Sequence, residues 1–206
     1  IFLMSQIRSS KYLSYLLRHG AKENNLEMSP DGFVCVDSIL DLPQSNSYKL
    51  SLKSIQEIVR NCDKKRFELK QNDGFLWFIR ACQGHSLESL DESQLLIPIK
   101  DHKEFPFVVH GTFLKWWPLI QSQGLKKMSR NHIHFAQGLP QDNSVISGMR
   151  KSCEVFIELD LIKALNEGIK FFLSKNGVVL TSGVNGVIDT KFFKRVWNVN
   201  NENLKY

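Results

Sequence analysis

The stretch RFELKQNDGFLWFIR, residues 66–80, decides the fold of the first half of the chain. Residues 66–70 and 75–80 predict two strands: in the first, Phe67 and Leu69 alternate with charged residues, and the second is mostly aromatic and apolar. Asn72-Asp73-Gly74 lies between them and favours a tight turn, because aspartate and glycine tolerate positive φ better than most residues. The stretch therefore predicts a β-hairpin.

Helical patterns precede this hairpin. Ser9 or Ser10 can cap a helix that ends at Gly20, since glycine commonly follows the last helical turn. Residues 36–42 and 50–60 predict two further helices, the second with apolar residues at helical spacing. Three short helices followed by a hairpin is the element order of a winged helix, a unit that commonly binds nucleic acid.

The second half of the chain is predicted to contain mainly strands. Apolar runs indicate them at residues 107–110, 133–136, 155–159, 168–173, 178–181 and 195–199. Residues 114–123 and 161–167 predict helices, and the polar residues 86–103 are expected to form a connector. We therefore expect an α+β protein with two lobes, residues 1–90 and 91–206.

The composition narrows the class of partner and the compartment. A formal net charge of +6 favours an anionic partner. The four cysteines form no CxxC pair, which fits free thiols in a reducing compartment better than a disulfide framework or a zinc site. No apolar run approaches the roughly 20 residues of a membrane span, and the first residues lack the basic segment of a signal peptide. We expect a monomeric protein of the cytoplasm or nucleus without membrane contact.

Three arginines and one histidine stand at positions where a charge needs an anion. Arg18 and His19 close an apolar stretch, Arg80 ends the second strand of the predicted hairpin, and Arg130 stands two residues before His132-Ile133-His134. A guanidinium matches phosphate oxygens in a bidentate fork, so several arginines with a neighbouring imidazole indicate one phosphoryl site. The alternative for Arg18 and His19 is that they only neutralise the C-terminus of a helix.

The runs that carry these residues closely resemble those of the tRNA 2′-phosphotransferase family. They are LSYLLRHGA (13–21), DGFV (31–34), DKKRF (63–67), IRACQGHS (79–86), HGT (110–112) and MSRNHIHF (128–135). The agreement extends in order over nearly the whole chain. The resemblance implies a winged-helix N-terminal lobe, and a C-terminal lobe of the ADP-ribosyltransferase fold with β-sheets and flanking helices. It also implies an active site between these lobes.

The resemblance implies a reaction as well. Its substrates are NAD and an RNA with an internal 2′-phosphate, such as a tRNA splice junction. The phosphate attacks the anomeric carbon of the nicotinamide ribose and expels nicotinamide. A ribose hydroxyl then attacks phosphorus, which releases RNA with a 2′-hydroxyl and ADP-ribose 1″,2″-cyclic phosphate. Because the RNA brings the nucleophile and NAD the electrophile, neither a metal nor a catalytic cysteine is required.

Four residues match the active-site positions of this family. Arg18, Arg80 and Arg130 match its three arginines, and we interpret them as a clamp on the phosphate. His19 matches its histidine, for which we expect a hydrogen-bonding or general-acid role toward the leaving 2′-oxygen of the RNA.

A second set of residues resembles the NAD-binding motif of ADP-ribosyltransferases. His110, Gly111 and Thr112 close an apolar strand, and the resemblance implies that they hold the nicotinamide ribose and carboxamide, with His134 at the second motif position. The third position, a glutamate in many protein-modifying members, falls near residues 187–188 and is apolar here. A phosphate acceptor does not need that carboxylate for activation.

The spacing His132-x-His134 could also indicate a metal site. We expect only one of these two histidines to face inward toward NAD, and the spacing does not decide which. Because no third ligand is suggested, we expect no metal.

RNA contacts are expected at two places. Lys64, Lys65 and Arg66 border the predicted wing and could follow RNA phosphates, although such clusters are often only solvated. Gln83 and His85 could contact phosphate or RNA, and the alternative is that their segment forms a capped turn.

Two other functions stay open at this point. One is an ADP-ribosyltransferase that modifies terminal phosphates of nucleic acids, because the first chemical step alone would do this. The other is a non-catalytic winged-helix RNA-binding module. The complete set of Arg18, His19, Arg80 and Arg130 argues against the second, because simple binding does not need it.

Overall fold

The structure, a computed structural model, describes residues 2–87, 89–140, 142 and 147–206. The chain divides into two compact units, of which the N-terminal unit ends at Leu95 and the C-terminal unit spans Leu96–Tyr206. Each unit has its own hydrophobic core.

The N-terminal unit consists of helices followed by a small sheet. Its elements are α1 Phe2–Tyr15, a π-helical turn Leu16–Gly20, β1 Val34–Cys35, α2 Val36–Leu40, α3 Pro43–Ser47, α4 Leu52–Arg60, β2 Phe67–Gln71, β3 Trp77–Ala81 and α5 Glu92–Leu95. The strands form an antiparallel sheet in the order β1-β3-β2. The predicted hairpin is therefore confirmed as β2 and β3, with Glu68 opposite Arg80.

The core of this unit explains why its helices form where they do. Leu13 and Leu16 are fully buried together with Ile55 of α4 and Ile79 of β3. The start of α4 is fixed by Ser51, whose hydroxyl accepts the backbone N–H of Ser54 in a capping box. Burial of one apolar stripe per helix against the sheet stabilises this arrangement far more than helix propensity alone.

Two local predictions for this unit are wrong. The first helix begins at Phe2, and Ser9 lies inside it, where its hydroxyl donates to the carbonyl oxygen of Tyr48 at 2.7 Å. This distant hydrogen bond within the unit thus replaces the expected capping role. In the hairpin turn the positive φ of 61° belongs to Phe75, and Gly74 is outside the left-handed region.

The C-terminal unit is rich in short strands. Its helices are α6 Trp117–Gln123 and α7 Leu161–Asn166, with 3₁₀ turns at His102–Glu104, Leu114–Trp116 and Thr190–Phe192. Its strands are β4 Ile97–Pro98, β5 Val109–Thr112, β6 Leu125–Lys126, β7 Ile133–Phe135, β8 Val155–Leu159, β9 Phe172–Leu173, β10 Val179–Thr181, β11 Val187–Ile188 and β12 Phe193–Asn198. They form antiparallel sheets in the orders β4-β9-β10-β7, β12-β8-β5 and β11-β6.

The central strands of this unit are buried on both faces. All five residues of β8 are buried, and β5 and β12 flank it in the same sheet. The predicted connector 86–103 is in part wrong, because it contains α5 and also β4, which pairs with β9; its residue 88 lies outside the described part of the chain.

Helices and antiparallel strands occur in both units, so the chain is an α+β protein, as predicted. Among the described residues, no helix combines the length and the apolar character that crossing a bilayer requires.

Candidate active site

The π-helical turn Leu16–Gly20 places Arg18 and His19. It continues α1, with Leu16 and Leu17 buried in the core and His19 exposed. A Cβ at position 20 would lie 2.7 Å from the ring of Tyr15, so a side chain there would force that ring to move. The hydroxyl of Tyr15 in turn donates to Glu23 at 2.8 Å. Single π turns are rare and frequently occur at functional sites.

The segment Gln83–Ser86 holds this turn from one side. The backbone N–H of Ser86 donates to the carbonyl oxygen of Arg18 at 3.0 Å, and the Ser86 hydroxyl lies 2.8 Å from Nδ1 of His19. Gly84 has a φ of 91°, and a Cβ on it would lie 3.3 Å from Nε of Arg18. The guanidinium of Arg18 therefore lies close to the glycine backbone, and the positive φ of Gly84 disfavours any other residue there.

Arg80 is held by three neighbours within the N-terminal unit. Its strand, β3, packs against the π turn. The Nε and Nη2 atoms of Arg80 lie 2.9 and 2.7 Å from the same carboxylate oxygen of Glu68. Its Nη1 donates to the backbone carbonyl of Asp31 at 2.8 Å, and its guanidinium carbon lies 4.6 Å from the ring centre of Phe33. The side chain is only 12 % exposed.

The predicted RNA-contacting residues of this unit differ in exposure. Gln83 and His85 are buried, at 9 % and 4 % exposure, which favours a role in shaping the segment that holds the π turn. Lys65 is exposed, and Lys64 and Arg66 are partly buried at the start of β2. The guanidinium of Arg66 lies 3.4 Å from the sulfur of Cys62.

In the C-terminal unit, His110 and His134 are in direct contact. Val109 and Ala136 exchange backbone hydrogen bonds between β5 and the end of β7. This pairing brings Nδ1 of His110 to 2.8 Å from the carbonyl oxygen of His134. Because a carbonyl only accepts, Nδ1 carries the proton, and Nε2 of the neutral ring is then a hydrogen-bond acceptor.

The protonation of His110 is shifted by its surroundings. Burial lowers the pKa of His110 below its ordinary value of 6.5, the hydrogen bond to His134 opposes this shift, and the positive charge of Arg130 adds to the lowering. The pKa of Arg130 is itself lowered by burial and by Arg150. Arg130 still leaves much of its surface open to solvent and keeps its charge near neutral pH. The contribution of Arg150 to the lowered pKa of Arg130 indicates that these two arginines lie near each other.

Gly111 lies under two sulfur-containing side chains. A Cβ at this position would lie 2.7 Å from the sulfur atoms of both Cys153 and Met149. Thr112 is buried, and its carbonyl oxygen accepts the backbone N–H of Glu154 at 2.8 Å. The structure thus gives Gly111 a packing reason as well as the expected functional one.

The expectation that only one of His132 and His134 faces inward is wrong. Both are 8 % exposed, and the ring of His132 packs edge-on against Phe172 at 6.2 Å. Ile133 between them is buried as well, so this stretch is covered on both sides and the burial does not separate the two histidines. Within the described residues, no group of three or more His, Cys, Asp or Glu side chains could hold a metal ion.

The lowered pKa of His110 predicts a pH-dependent stability. An unfolded histidine takes up its proton at about pH 6.5, whereas the folded one does so at a lower pH, so the unfolded state gains protons first on acidification. The stabilisation is present above about pH 6.5 and is lost as the pH falls toward the lowered pKa. We expect the free energy of unfolding of the wild type minus that of His110→Gln to decrease over this range in urea titrations. A difference that does not change with pH would contradict the assignment.

Three residues of this region were not singled out from the sequence. Glu68 faces Arg80 across the hairpin, and counting the register outward from the turn would have found it. Ser86 binds both Arg18 and His19; it closes the run IRACQGHS (79–86) that resembles the family, but no residue type or spacing assigned it a role. Arg150 affects Arg130 electrostatically and lies 5.9 Å from the ring centre of Phe113, and no local pattern marks it.

Comparisons with known proteins agree on one family. The model of the RNA 2′-phosphotransferase, Tpt1 / KptA family matches residues 4–183. A protein of Schizosaccharomyces pombe named as a tRNA 2′-phosphotransferase is 47 % identical over 92 % of this chain, which spans 51 % of that protein's length. The tRNA 2′-phosphotransferase 1 of Danio rerio is 45 % identical over 92 % of this chain and 84 % of its own.

The enzyme of the same name from Mus musculus is 46 % identical over 91 % of this chain and 75 % of its own length. The chain thus spans about half of the fission-yeast relative and three quarters or more of the two vertebrate ones. With the family model matched over most of its length, the chain belongs to the RNA 2′-phosphotransferase, Tpt1 / KptA family.

Proposed function

We propose that this chain removes the internal 2′-phosphate of an RNA, of the kind left at a tRNA splice junction, and transfers it to the ADP-ribose part of NAD. Membership of its family makes the chain a transferase that acts on RNA. The observation that carries the finer proposal is the grouping of Arg18 and His19, both bound by Ser86, beside the strand that bears Arg80. In the proposed reaction, both guanidinium groups and the imidazole bind the same phosphate.

The arginines act as the phosphate clamp. Arg18 and Arg80, together with Arg130, bind the phosphate oxygens and stabilise the charge that grows as phosphorus becomes pentacoordinate. Because Arg80 is held by Glu68 and Asp31, and Arg18 lies against Gly84, these two side chains lose little freedom when the phosphate binds.

His19 serves the leaving oxygen of the RNA. Its Nδ1 is held by the Ser86 hydroxyl at 2.8 Å, so we assign Nε2 to the substrate. A protonated imidazole at that position donates its proton to the 2′-oxygen as the bond to phosphorus breaks. Imidazole groups in general exchange protons near neutral pH, which suits this task.

The C-terminal unit supplies residues that fit NAD. The neutral imidazole of His110 presents Nε2 as an acceptor, which matches the hydroxyl donors of a ribose. Gly111 and Thr112 on β5, together with His134 on β7, orient the nicotinamide end of NAD. NAD supplies the electrophilic anomeric carbon of its nicotinamide ribose. The apolar strand Val187–Ile188 brings no carboxylate, and an ionised phosphate needs no base to attack.

The two units correspond in this proposal to lobes of known architecture. Helices followed by the antiparallel β2–β3 hairpin support a winged-helix lobe, and three small antiparallel sheets with flanking helices support an ADP-ribosyltransferase-like lobe. We place the boundary near residue 90. Lys64, Lys65 and Arg66 border the wing and follow RNA phosphates, while Gln83 and His85 shape the segment behind Arg18.

The reaction can be tested directly with a 2′-phosphorylated oligonucleotide. We expect NAD-dependent conversion to the 2′-hydroxyl product, with release of nicotinamide and ADP-ribose 1″,2″-cyclic phosphate, because both steps use only RNA, NAD and the named side chains. Activity should also survive prior treatment with a chelator. Mass spectrometry of all three products checks the outcome, and an oligonucleotide with a terminal phosphate serves as the comparison substrate.

Two results would contradict this proposal. Loss of activity on chelation with recovery on adding zinc would show that a metal is required. Stable ADP-ribose on the terminal phosphate, with the 2′-phosphorylated oligonucleotide untouched, would instead identify an ADP-ribosyltransferase of nucleic-acid ends.

A further inference from the structure

The carboxylate of Glu68 is placed unusually for a group near an anion-binding arginine. Glu68 and Arg80 are direct cross-strand partners in the β2–β3 hairpin. One oxygen of Glu68 lies 2.9 Å from Nε and 2.7 Å from Nη2 of Arg80, and the two side chains are only 20 % and 12 % exposed. A carboxylate here would repel a phosphate unless it serves the arginine itself.

The remaining contacts of Arg80 define its orientation. Glu68 takes the edge of the guanidinium formed by Nε and Nη2, and the Asp31 carbonyl takes one N–H of Nη1. Phe33 covers one face of the group at 4.6 Å. Because Nη1 and Nη2 each carry two N–H groups, each has one further N–H with which to bind a phosphate oxygen.

We propose that Glu68 is a positioning residue for Arg80. Its carboxylate fixes the guanidinium so that the remaining N–H groups of Nη1 and Nη2 form a bidentate pair of hydrogen bonds to the RNA 2′-phosphate. It also offsets one positive charge of the clamp, which limits how tightly the clamp holds the phosphate before reaction. The inference rests on the proposed function, because it assigns Glu68 a task only if Arg80 binds phosphate.

A purely structural pair would behave differently. An opposite-charge pair across two strands contributes little to stability, so its loss should change folding slightly and turnover little. A positioning carboxylate should instead affect the step in which Arg80 stabilises the transition state. Misplacement of a catalytic group by about 1 Å can cost on the order of 100-fold in rate.

The test compares Glu68→Ala and Glu68→Gln with the wild type on the 2′-phosphorylated oligonucleotide. We expect Glu68→Ala to lower kcat about 10- to 100-fold while KM for the RNA stays constant or falls. RNA bearing ADP-ribose on its 2′-phosphate should accumulate, because Arg80 serves the second step. Glu68→Gln keeps a hydrogen-bond acceptor for Nε of Arg80, so its kcat should fall less than that of Glu68→Ala. Unchanged kcat in folded Glu68→Ala without accumulation would overturn the inference.

A double-mutant cycle shows whether Glu68 acts through Arg80. In the Arg80→Ala background, Glu68→Ala should cause no further loss of kcat, because the group that it positions is absent. Additive losses would assign Glu68 a separate role and contradict the inference. If Arg80→Ala alone retained full turnover, the assignment of Arg80 to the phosphate clamp would fail, which is a distinguishable result.

The matched control is Glu167→Ala. Glu167 also pairs with a cation, Lys191, at 2.6 Å, but on an exposed surface of the C-terminal unit. This variant should keep kcat, KM and the absence of accumulated adduct. Thermal unfolding of all variants separates a loss of folded protein from a loss of turnover.

Discussion

Arg18→Ala, Arg80→Ala and Arg130→Ala are each expected to lower the rate of 2′-phosphate removal by roughly 30- to 1000-fold. Each change removes a charge-assisted contact that strengthens as phosphorus becomes pentacoordinate, and such a contact is worth about 2–4 kcal/mol. Single-turnover kinetics with the 2′-phosphorylated oligonucleotide and saturating NAD would measure the effect. The proteins should remain folded, because the cores of both units consist of other, apolar residues.

Arg195→Ala is the matched control for these variants. The Arg195 guanidinium donates to the side chains of Asn203 and Asn201 at 3.0 Å and lies 4.8 Å from the ring centre of Trp197, so it has a local structural role. It should keep near wild-type turnover. Near wild-type turnover of all three folded clamp variants would instead show that the clamp is assigned incorrectly.

His19→Ala and His110→Ala are expected to block different steps. Loss of a general acid typically lowers the rate of the step it serves by 10²- to 10⁴-fold, and His19 is needed only when the RNA 2′-oxygen leaves phosphorus. His19→Ala should therefore accumulate RNA with ADP-ribose on its 2′-phosphate. His110→Ala should slow formation of that adduct, because the lost acceptor at Nε2 orients the nicotinamide ribose.

A time course on a denaturing gel, with nicotinamide release measured in parallel, resolves substrate, adduct and product. In His19→Ala, nicotinamide should appear at near wild-type rate while the final product appears slowly. The division of labour fails if nicotinamide release and product formation are slowed equally and no adduct is seen.

Much of the hairpin was predictable because its information is local. Apolar composition and a polar turn between residues 66 and 80 place β2 and β3 within a few residues. The conformation of the turn was not predictable in the same way. Steric preference assigns positive φ to Gly74, yet the structure places it on the exposed Phe75, so the register of the strands outweighs the preference of one residue.

Elements that depend on distant partners escaped prediction. The two-residue strands β4, β6 and β11 are too short to show a hydrophobic period in the sequence. They form because β4 pairs with β9, and β6 pairs with β11. The candidate site shows the same division. Arg18, His19 and Arg80 could be named from residue type and resemblance, whereas Ser86 and Glu68 follow from contacts made 67 and 12 positions away along the chain.

Because of the π turn at Leu16–Gly20, the number of residues in this segment helps to determine the geometry of the site. An α-helix advances about 100° per residue, so the wider turn changes the direction in which Arg18 and His19 leave the helix relative to a continuous α-helix. A helix of the same composition but one residue shorter could bury the same leucines and still direct both side chains elsewhere. Substitutions test side chains one at a time and leave this property untouched, because it resides in the length of the segment.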